Sequence, residues 1–260
     1  MERITPMTGN KDADLLILSK LDDKSLLSFC ASQTKNKNVH KLCNDKTFWR
    51  NRFIEKYSPT SEWSNKKRNW KRSYLKLTYY LNKGREANTN FNIWGNEDFN
   101  KDALYEASLN GDLDIVEYLI SETDNWLEGL RGAIESNNHF LINFFIQNGK
   151  FDLSHYDTLL ASAVKANNRQ LVDYYIQKGA TKIYWAIHIA FSYNNFQMLQ
   201  HLYDVIPGGM RSLTDETLQE KINESLQKYG PTNEITRFYL DEHTRREEDS
   251  RRRKQRKIRR

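Results

Sequence analysis

The sequence is poor in the residues that build disulfide-rich or membrane-spanning proteins. Its 260 residues include 2 Cys, 4 Pro and 11 Gly. Two cysteines are too few for a disulfide framework or a four-thiolate zinc site, so an intracellular protein is the default expectation. The longest unbroken apolar run is Ile183–Ile187, whereas a bilayer-crossing helix needs about 20 apolar residues. These shortages predict a protein outside the membrane, built around an apolar core.

Positive charge is abundant but unevenly placed. The chain has 40 Lys and Arg against 34 Asp and Glu, a net charge of +6. Residues 244–260 hold ten basic and three acidic residues, and residues 1–243 are therefore close to neutral. The pI of about 9.1 thus describes the last segment more than the body. The charge gives little support to nucleic-acid binding by the whole chain.

Signals for β-strands are nearly absent. Alternating apolar runs bounded by tight hairpin turns do not occur, and the Asn-Gly pairs at 110–111 and 148–149 lie between helical patterns. The sequence therefore predicts an all-α protein.

An internal repeat organises the second half of the chain. Equivalent alanines recur at intervals of 26, 30 and 27 residues, at Ala107, Ala133, Ala163 and Ala190. Four residues after each alanine stands a residue that tolerates the left-handed conformation at a helix end: Gly111, Asn137, Asn167 and Asn194. An apolar stripe of helical spacing follows each turn. Each unit is thus a short helix, a tight turn and an amphipathic helix, and such units need to stack to bury their apolar faces.

These units resemble ankyrin repeats. The segment Ala186–Ala190 is similar to the Pro-Leu-His-x-Ala segment of that family, and Gly179-Ala180 to its Gly-Ala between repeats. The resemblance covers about residues 103–203, with a worn fifth unit around 222–240. The usual Thr-Pro is missing, and the periods are shorter than the family's. The resemblance implies a groove that binds a target protein, lined by Trp126, Glu135, Tyr156, Lys165, Tyr184 and Tyr193.

The segment 13–57 has apolar residues spaced as three short helices. Asp22-Asp23 begins the second helix, and Asn44-Asp45 precedes the third as a cap. A domain of this size leaves apolar surface uncovered, which marks an interaction site.

This spacing resembles the F-box. The matching segments are Leu21–Cys30 and Val39–Trp49, while Asp14-Leu15-Leu16 stands where the family has Leu-Pro. The resemblance implies binding to a Skp-family adaptor and a cullin complex. The implied adaptor-binding residues are Leu15, Leu16, Leu26, Leu27 and Trp49.

An F-box joined to Asn-rich ankyrin repeats resembles proteins encoded by large DNA viruses. The combination implies a substrate receptor of a ubiquitin ligase, a monomer that captures an unknown host protein in the host cell cytoplasm or nucleus. The expected architecture is a three-helix F-box-like domain followed by an ankyrin-like helix-pair solenoid. Its expected divisions are a flexible N-terminus (1–12), the F-box-like domain (13–57), a helical basic linker (58–100), the repeats (101–242) and a disordered basic tail (243–260).

Two other functions are open. The repeats could form a protein-binding scaffold with no ligase role, which the missing Leu-Pro favours. Alternatively, basic and aromatic residues at 66–76 could bind nucleic acid together with the basic tail. The spacing of Trp70, Tyr74, Leu77 and Leu81 instead favours an ordinary amphipathic helix that joins two domains.

The sequence has only weak signals for a catalytic, metal-binding or cofactor-binding site. Cys30 and Cys43 lie on apolar faces and are interpreted as core residues, not as metal ligands. No phosphate-binding loop, nucleophile elbow or spaced His ligands are recognisable, so we expect neither an enzyme nor a cofactor or metal. A short basic run is a candidate nuclear signal, formed by Arg251, Arg252, Arg253, Lys254, Arg256 and Lys257.

Overall fold

The computed structural model describes residues 7–89, 99–123 and 126–258. The described residues form sixteen α-helices and one 3₁₀ turn, with no strand among them, so the prediction of an all-α protein is confirmed. The chain divides into two compact units, Met1–Gly132 (unit 1) and Ala133–Arg260 (unit 2). No helix in the described ranges is both long and apolar enough to cross a membrane.

Unit 1 contains eight helices and the start of a ninth. They are α1 (Lys11–Ser19), α2 (Asp23–Ser32), α3 (Lys37–Leu42), α4 (Lys46–Tyr57), α5 (Ser61–Asn65), α6 (Trp70–Thr89), α7 (Phe99–Leu109) and α8 (Leu113–Glu122). Helix α9 (Trp126–Glu135) crosses the division between the units.

The F-box-like segment has four helices where three were predicted. Asp22 caps α2 and Asp45 caps α4 through bonds from backbone N–H groups, as the sequence indicates. A further cap at Asn36, which accepts from the N–H groups of Asn38 and Val39, begins the additional helix α3. The caps Asn36 and Asp45 are nine residues apart, so the apolar residues that follow Asn36 form two helices, α3 and α4.

The predicted flexible N-terminus is only partly described, since residues 1–6 lie outside the described ranges. Thr8 donates to the Asp14 carboxylate from its backbone N–H (2.7 Å) and its hydroxyl (2.8 Å), and the Gly9 N–H adds a third bond of 3.1 Å. These bonds satisfy a carboxylate that is 3% exposed. The segment just before α1 is therefore held on the unit rather than flexible.

The predicted linker at 58–100 contributes several side chains to the core. Phe53 of α4 stacks on Trp63 of α5 at 4.7 Å between ring centroids, and its ring also lies 5.7 Å from Trp70 of α6. Tyr118 of α8 completes the cluster at 5.8 Å from Phe53. Helices before, within and after the predicted linker thus share one aromatic core, so no domain boundary falls at residue 58. The Asn- and Gly-rich part, 90–98, lies outside the described residues.

The amphipathic helix predicted from residue 70 is confirmed as α6. Trp70, Tyr74 and Leu77 are buried on one side, with Leu81 half-buried. The helix packs against α4 and α7. It joins the F-box-like segment to the first helix pair within one unit.

Cys30 and Cys43 form a disulfide, which the sequence analysis did not predict. Cys43 is 3% exposed and Cys30 is half-buried. The expected position in the core is therefore found for Cys43 and only in part for Cys30. The bond ties α2 to the end of α3 across 13 residues of sequence. An isolated pair of cysteines on different helices carries no sequence signal for pairing.

Unit 2 consists of helix pairs. Its helices are the end of α9, α10 (His139–Asn148), α11 (Leu153–Lys165), α12 (Arg169–Gln177), α13 (Ile183–Ser192), α14 (Phe196–Val205), α15 (Asp215–Tyr229) and α16 (Glu234–Ile258), with a 3₁₀ turn at Gly209–Ser212. The equivalent alanines of the repeat are buried. The region 222–240, which the sequence predicts as a worn fifth unit, falls within α15 and the first part of α16.

The turns within the helix pairs follow the predicted pattern. Asn137, Asn167 and Asn194 adopt the left-handed conformation, with φ of 52°, 54° and 52°. The N–H of each following asparagine donates to the carbonyl of the repeat alanine, at 2.9 Å in every pair. Asparagine tolerates this backbone conformation better than most residues, which explains its recurrence at the helix ends.

Asparagine side chains also connect successive pairs of unit 2. An amide donates to an asparagine oxygen of the preceding pair in three places: Asn168 to Asn137 (3.0 Å), Asn195 to Asn167 (2.9 Å) and Asn233 to Asn194 (3.0 Å). The same residues therefore end one helix, begin the next and fix the spacing between repeats.

The predicted disordered tail is a helical continuation over its described part. Helix α16 runs without interruption from Glu234 to Ile258. Pairs four residues apart, Glu247 with Arg251 and Glu248 with Arg252, lie at 3.5 Å. Arginine and glutamate favour helices, and such pairs add a few tenths of a kcal/mol each. Helix propensity and these two pairs both favour the helical form of this segment.

Candidate protein-binding surfaces

The predicted adaptor-binding residues divide between core and surface. Leu26 and Trp49 are 0% and 1% exposed, and the Trp49 indole N–H donates to the Cys43 carbonyl at 2.9 Å. Both side chains are therefore part of the core in this structure, and contact of either with an adaptor stays a prediction. Leu16 and Leu27 are 60% and 38% exposed, with Leu15 half-buried. The apolar surface left by this segment is therefore smaller than the spacing predicts.

An ion cluster anchors the start of α2 to α4. Asp23 accepts from Arg52 at 2.8 Å and from Lys56 at 2.6 Å, and the Tyr74 hydroxyl donates to the same carboxylate at 2.5 Å. Burial opposes ionisation of Asp23, but these three donors outweigh it and hold its pKa at about 2. The α2 N-terminus, next to the exposed Leu27, is thereby fixed on the aromatic core.

The basic and aromatic residues at 66–76 do not form a base-stacking platform. Trp70 and Tyr74 are buried. The Arg68 guanidinium lies 3.4 Å from the Trp63 ring centroid with its side chain 1% exposed, and burial lowers its pKa. Lys66 pairs with Glu117 at 3.0 Å. These cations are thus mostly engaged in holding unit 1 together.

The predicted groove residues take different roles. Glu135 pairs with the exposed Lys165 at 3.5 Å and accepts from the Ser162 hydroxyl at 3.0 Å, which connects α9 to α11. The half-buried Tyr156 donates to the Phe151 carbonyl at 3.1 Å. Trp126 is half-buried at the start of α9. These four side chains serve the structure of the repeats at least in part.

Helix α13 carries the most exposed aromatic surface of unit 2. Tyr184 and Trp185 at its start are 59% and 45% exposed, and Tyr193 directly after its end is 63% exposed. Two of these were predicted, and Trp185 was not. The apolar run Ile183–Ile187 was the signal that could have identified it, because five consecutive residues of a helix cannot all lie on its buried face.

A cavity of about 410 Å³ adjoins this helix. Tyr184, His188 and Phe191, spaced along one face of α13, form one wall. Thr217 and Lys221 of α15 form another. The remaining lining residues, none of them predicted from the sequence, are Ile187, Tyr203, Ser212, Leu213, Thr214 and Tyr239. The site is therefore built by helices from the last two pairs of the repeat.

Two tyrosines form the inner part of the cavity. Tyr203 of α14 and Tyr239 of α16 are 2% and 0% exposed, and their hydroxyls lie 3.4 Å apart. Burial raises the pKa of both phenols, so they stay protonated. Only one hydrogen of the pair can lie between the two oxygens, which leaves a second O–H donor.

No group of three or more His, Cys, Asp or Glu that could hold a metal ion occurs within the described ranges. Comparisons of the chain with protein-family models, curated proteins and solved structures gave no match.

Proposed function

We propose that this protein is a non-enzymatic receptor that captures a target protein on the aromatic face of α13, and that its N-terminal segment docks on a Skp-family adaptor of a cullin ubiquitin ligase. Tyr184 and Trp185 on α13 and Tyr193 directly after it are exposed, and Tyr184 also lines the cavity. These two observations carry the first part of the proposal. The F-box resemblance and the exposed Leu16 and Leu27 support the second part.

The α13 face has the features of an interface hot spot. Tyrosine and tryptophan bury a large area at a small entropic cost and dominate the energetics of many interfaces. Their helix is fixed from behind by Ala186 and Ala190, each 1% exposed, so little ordering is needed on binding. The cavity offers a place for one side chain of the target.

The proposed mechanism requires no catalytic group. A receptor that holds the target and the ligase together converts ubiquitin transfer into a reaction at high effective concentration. Two independent binding surfaces on one chain are sufficient for this.

The adaptor contact predicts the effect of Leu16→Asp together with Leu27→Asp. Both side chains are exposed, so the variant is expected to fold, while charge at the contact reduces affinity for a purified Skp-family adaptor at least ~10-fold. Isothermal titration calorimetry measures the change. Leu113→Asp, at a leucine of unit 1 that is 39% exposed, is the matched control. If the affinity were unaltered, or if the wild-type protein did not bind the adaptor, the ligase role would be refuted. The protein would then be a protein-binding scaffold.

The aromatic face predicts the effect of Tyr184→Ala together with Trp185→Ala. Proteins captured specifically from host-cell lysate are expected to fall ~10-fold or more, as quantified by mass spectrometry, while thermal stability changes little. Phe140→Ala, at an aromatic residue of α10 that is 64% exposed, is the control. Loss of the same proteins on Phe140→Ala but not on the α13 variant would place the target elsewhere.

A further inference from the structure

The last part of α16 is a helix that stands free of the folded body, yet its base is firmly held. Ile235 and Tyr239 are fully buried. Arg246 donates to the carbonyls of Met210 and Leu213 at 2.9 Å and pairs with Asp215 at 2.7 Å. These contacts fix the direction in which α16 continues beyond Arg246.

Beyond this base, the helix is exposed on every side. All residues from Glu247 to Arg256 are exposed, although the segment remains helical. A stretch of twelve residues, 247–258, extends about 18 Å at the helical rise of 1.5 Å per residue. No described residue covers the side chains of 247–256.

Cationic groups surround this helix rather than forming a stripe. Arg251, Arg252, Arg253, Lys254 and Arg256 follow at steps of 100° per residue and so point to all quadrants. Glu247 and Glu248 engage two of them at 3.5 Å. Arg253, Lys254 and Arg256 form no ion pair with any described residue. Residues 251–260 contain no acidic side chain.

We propose that this helix binds duplex DNA by lying in the major groove and contacting phosphates of both strands. The B-form major groove, about 12 Å wide, admits an α-helix. Cations on all sides of a helix can reach both walls of such a groove, whereas a one-sided stripe could reach only one. Phosphate contact of this kind is independent of base sequence.

The distribution of side chains separates this partner from other polyanions. Firm binding to an anionic membrane combines basic residues with a buried apolar face, and the only apolar residue after Ser250 is Ile258. The major groove of A-form RNA is deep and narrow and does not admit side chains in this way. Duplex DNA therefore fits the helix better than either alternative.

Fluorescence anisotropy with the full chain and a labelled 20-bp DNA duplex of arbitrary sequence tests the proposal. With four to five phosphates neutralised, log K is expected to fall with log salt concentration at a slope of about −4. Arg253→Glu together with Arg256→Glu should weaken binding ~100-fold at low salt and reduce the slope by about two units. Glutamate is a good helix former, and both positions are exposed, so the fold should persist.

Lys35→Glu together with Lys37→Glu makes the same change in net charge at exposed positions of unit 1 and is expected to leave affinity within ~3-fold of the wild type. An equal loss of affinity for duplex DNA in both variants would mean that the overall charge of the protein accounts for binding, and this would overturn the proposal. So would binding to duplex RNA, phosphatidylserine vesicles or polyglutamate that is as tight as binding to duplex DNA.

Discussion

Replacement of Phe53 by alanine is expected to lower the free energy of unfolding of unit 1 by about 3–5 kcal/mol, as for a large aromatic residue removed from a packed core. The side chain is 0% exposed, and its ring contacts Trp63, Trp70, Tyr74 and Tyr118. Because these partners lie on α5, α6 and α8, the loss should spread far beyond the F-box-like segment. Urea denaturation measures its size, and hydrogen exchange measures its extent.

Tyr79→Ala is the matched control, since this aromatic side chain of the same unit is 54% exposed. Its expected cost is within about 0.5 kcal/mol. If Phe53→Ala increased exchange only in residues 11–57 and left α6 and α8 protected, the F-box-like segment would be a separate domain, and the shared aromatic core would be refuted.

Reduction of the Cys30–Cys43 disulfide is expected to lower the stability of unit 1 by about 3 kcal/mol. The two cysteines are 13 residues apart in the sequence. A closed loop of this length lowers the conformational entropy of the unfolded chain, and this loss corresponds to about 3 kcal/mol of stability at 25 °C. The effect should be visible as a shift of the urea midpoint on addition of dithiothreitol.

The double variant Cys30→Ser and Cys43→Ser provides the comparison. It is expected to unfold at the midpoint of the reduced wild type and to be insensitive to the reductant. Alkylation of the native, unreduced protein should modify neither cysteine. Two labelled thiols without reduction, or equal midpoints with and without dithiothreitol, would show that the bond does not contribute.

Local signals in the sequence predict the helix ends well. The left-handed Asn137, Asn167 and Asn194, and the caps Asp22 and Asp45, all stand where the sequence indicates. A cap or a left-handed turn depends on backbone groups within four residues, so the residue type itself carries the information. The additional cap at Asn36 shows the limit, because an asparagine in a polar loop has many possible roles.

The candidate sites were harder to predict, since a site depends on which face of each helix is covered. Leu26 and Leu27 are adjacent in the same motif, yet one is fully buried and the other 38% exposed. Tyr203 and Tyr239 meet at 3.4 Å in the cavity although 36 residues separate them. No periodicity within one helix indicates such a meeting.

The sequence by itself therefore determined the all-α class, the recurrence of helix pairs and the helix ends at the repeat turns and at the caps Asp22 and Asp45, because these depend on spacing and on short-range hydrogen bonds. Only the tertiary structure decided that Trp63 and Trp70 share an aromatic core with Phe53, that Cys30 pairs with Cys43, and that a cavity opens beside α13. These features arise from contacts between residues far apart in the chain. Their energy depends on the packing of complementary surfaces, which residue types and their spacing do not specify.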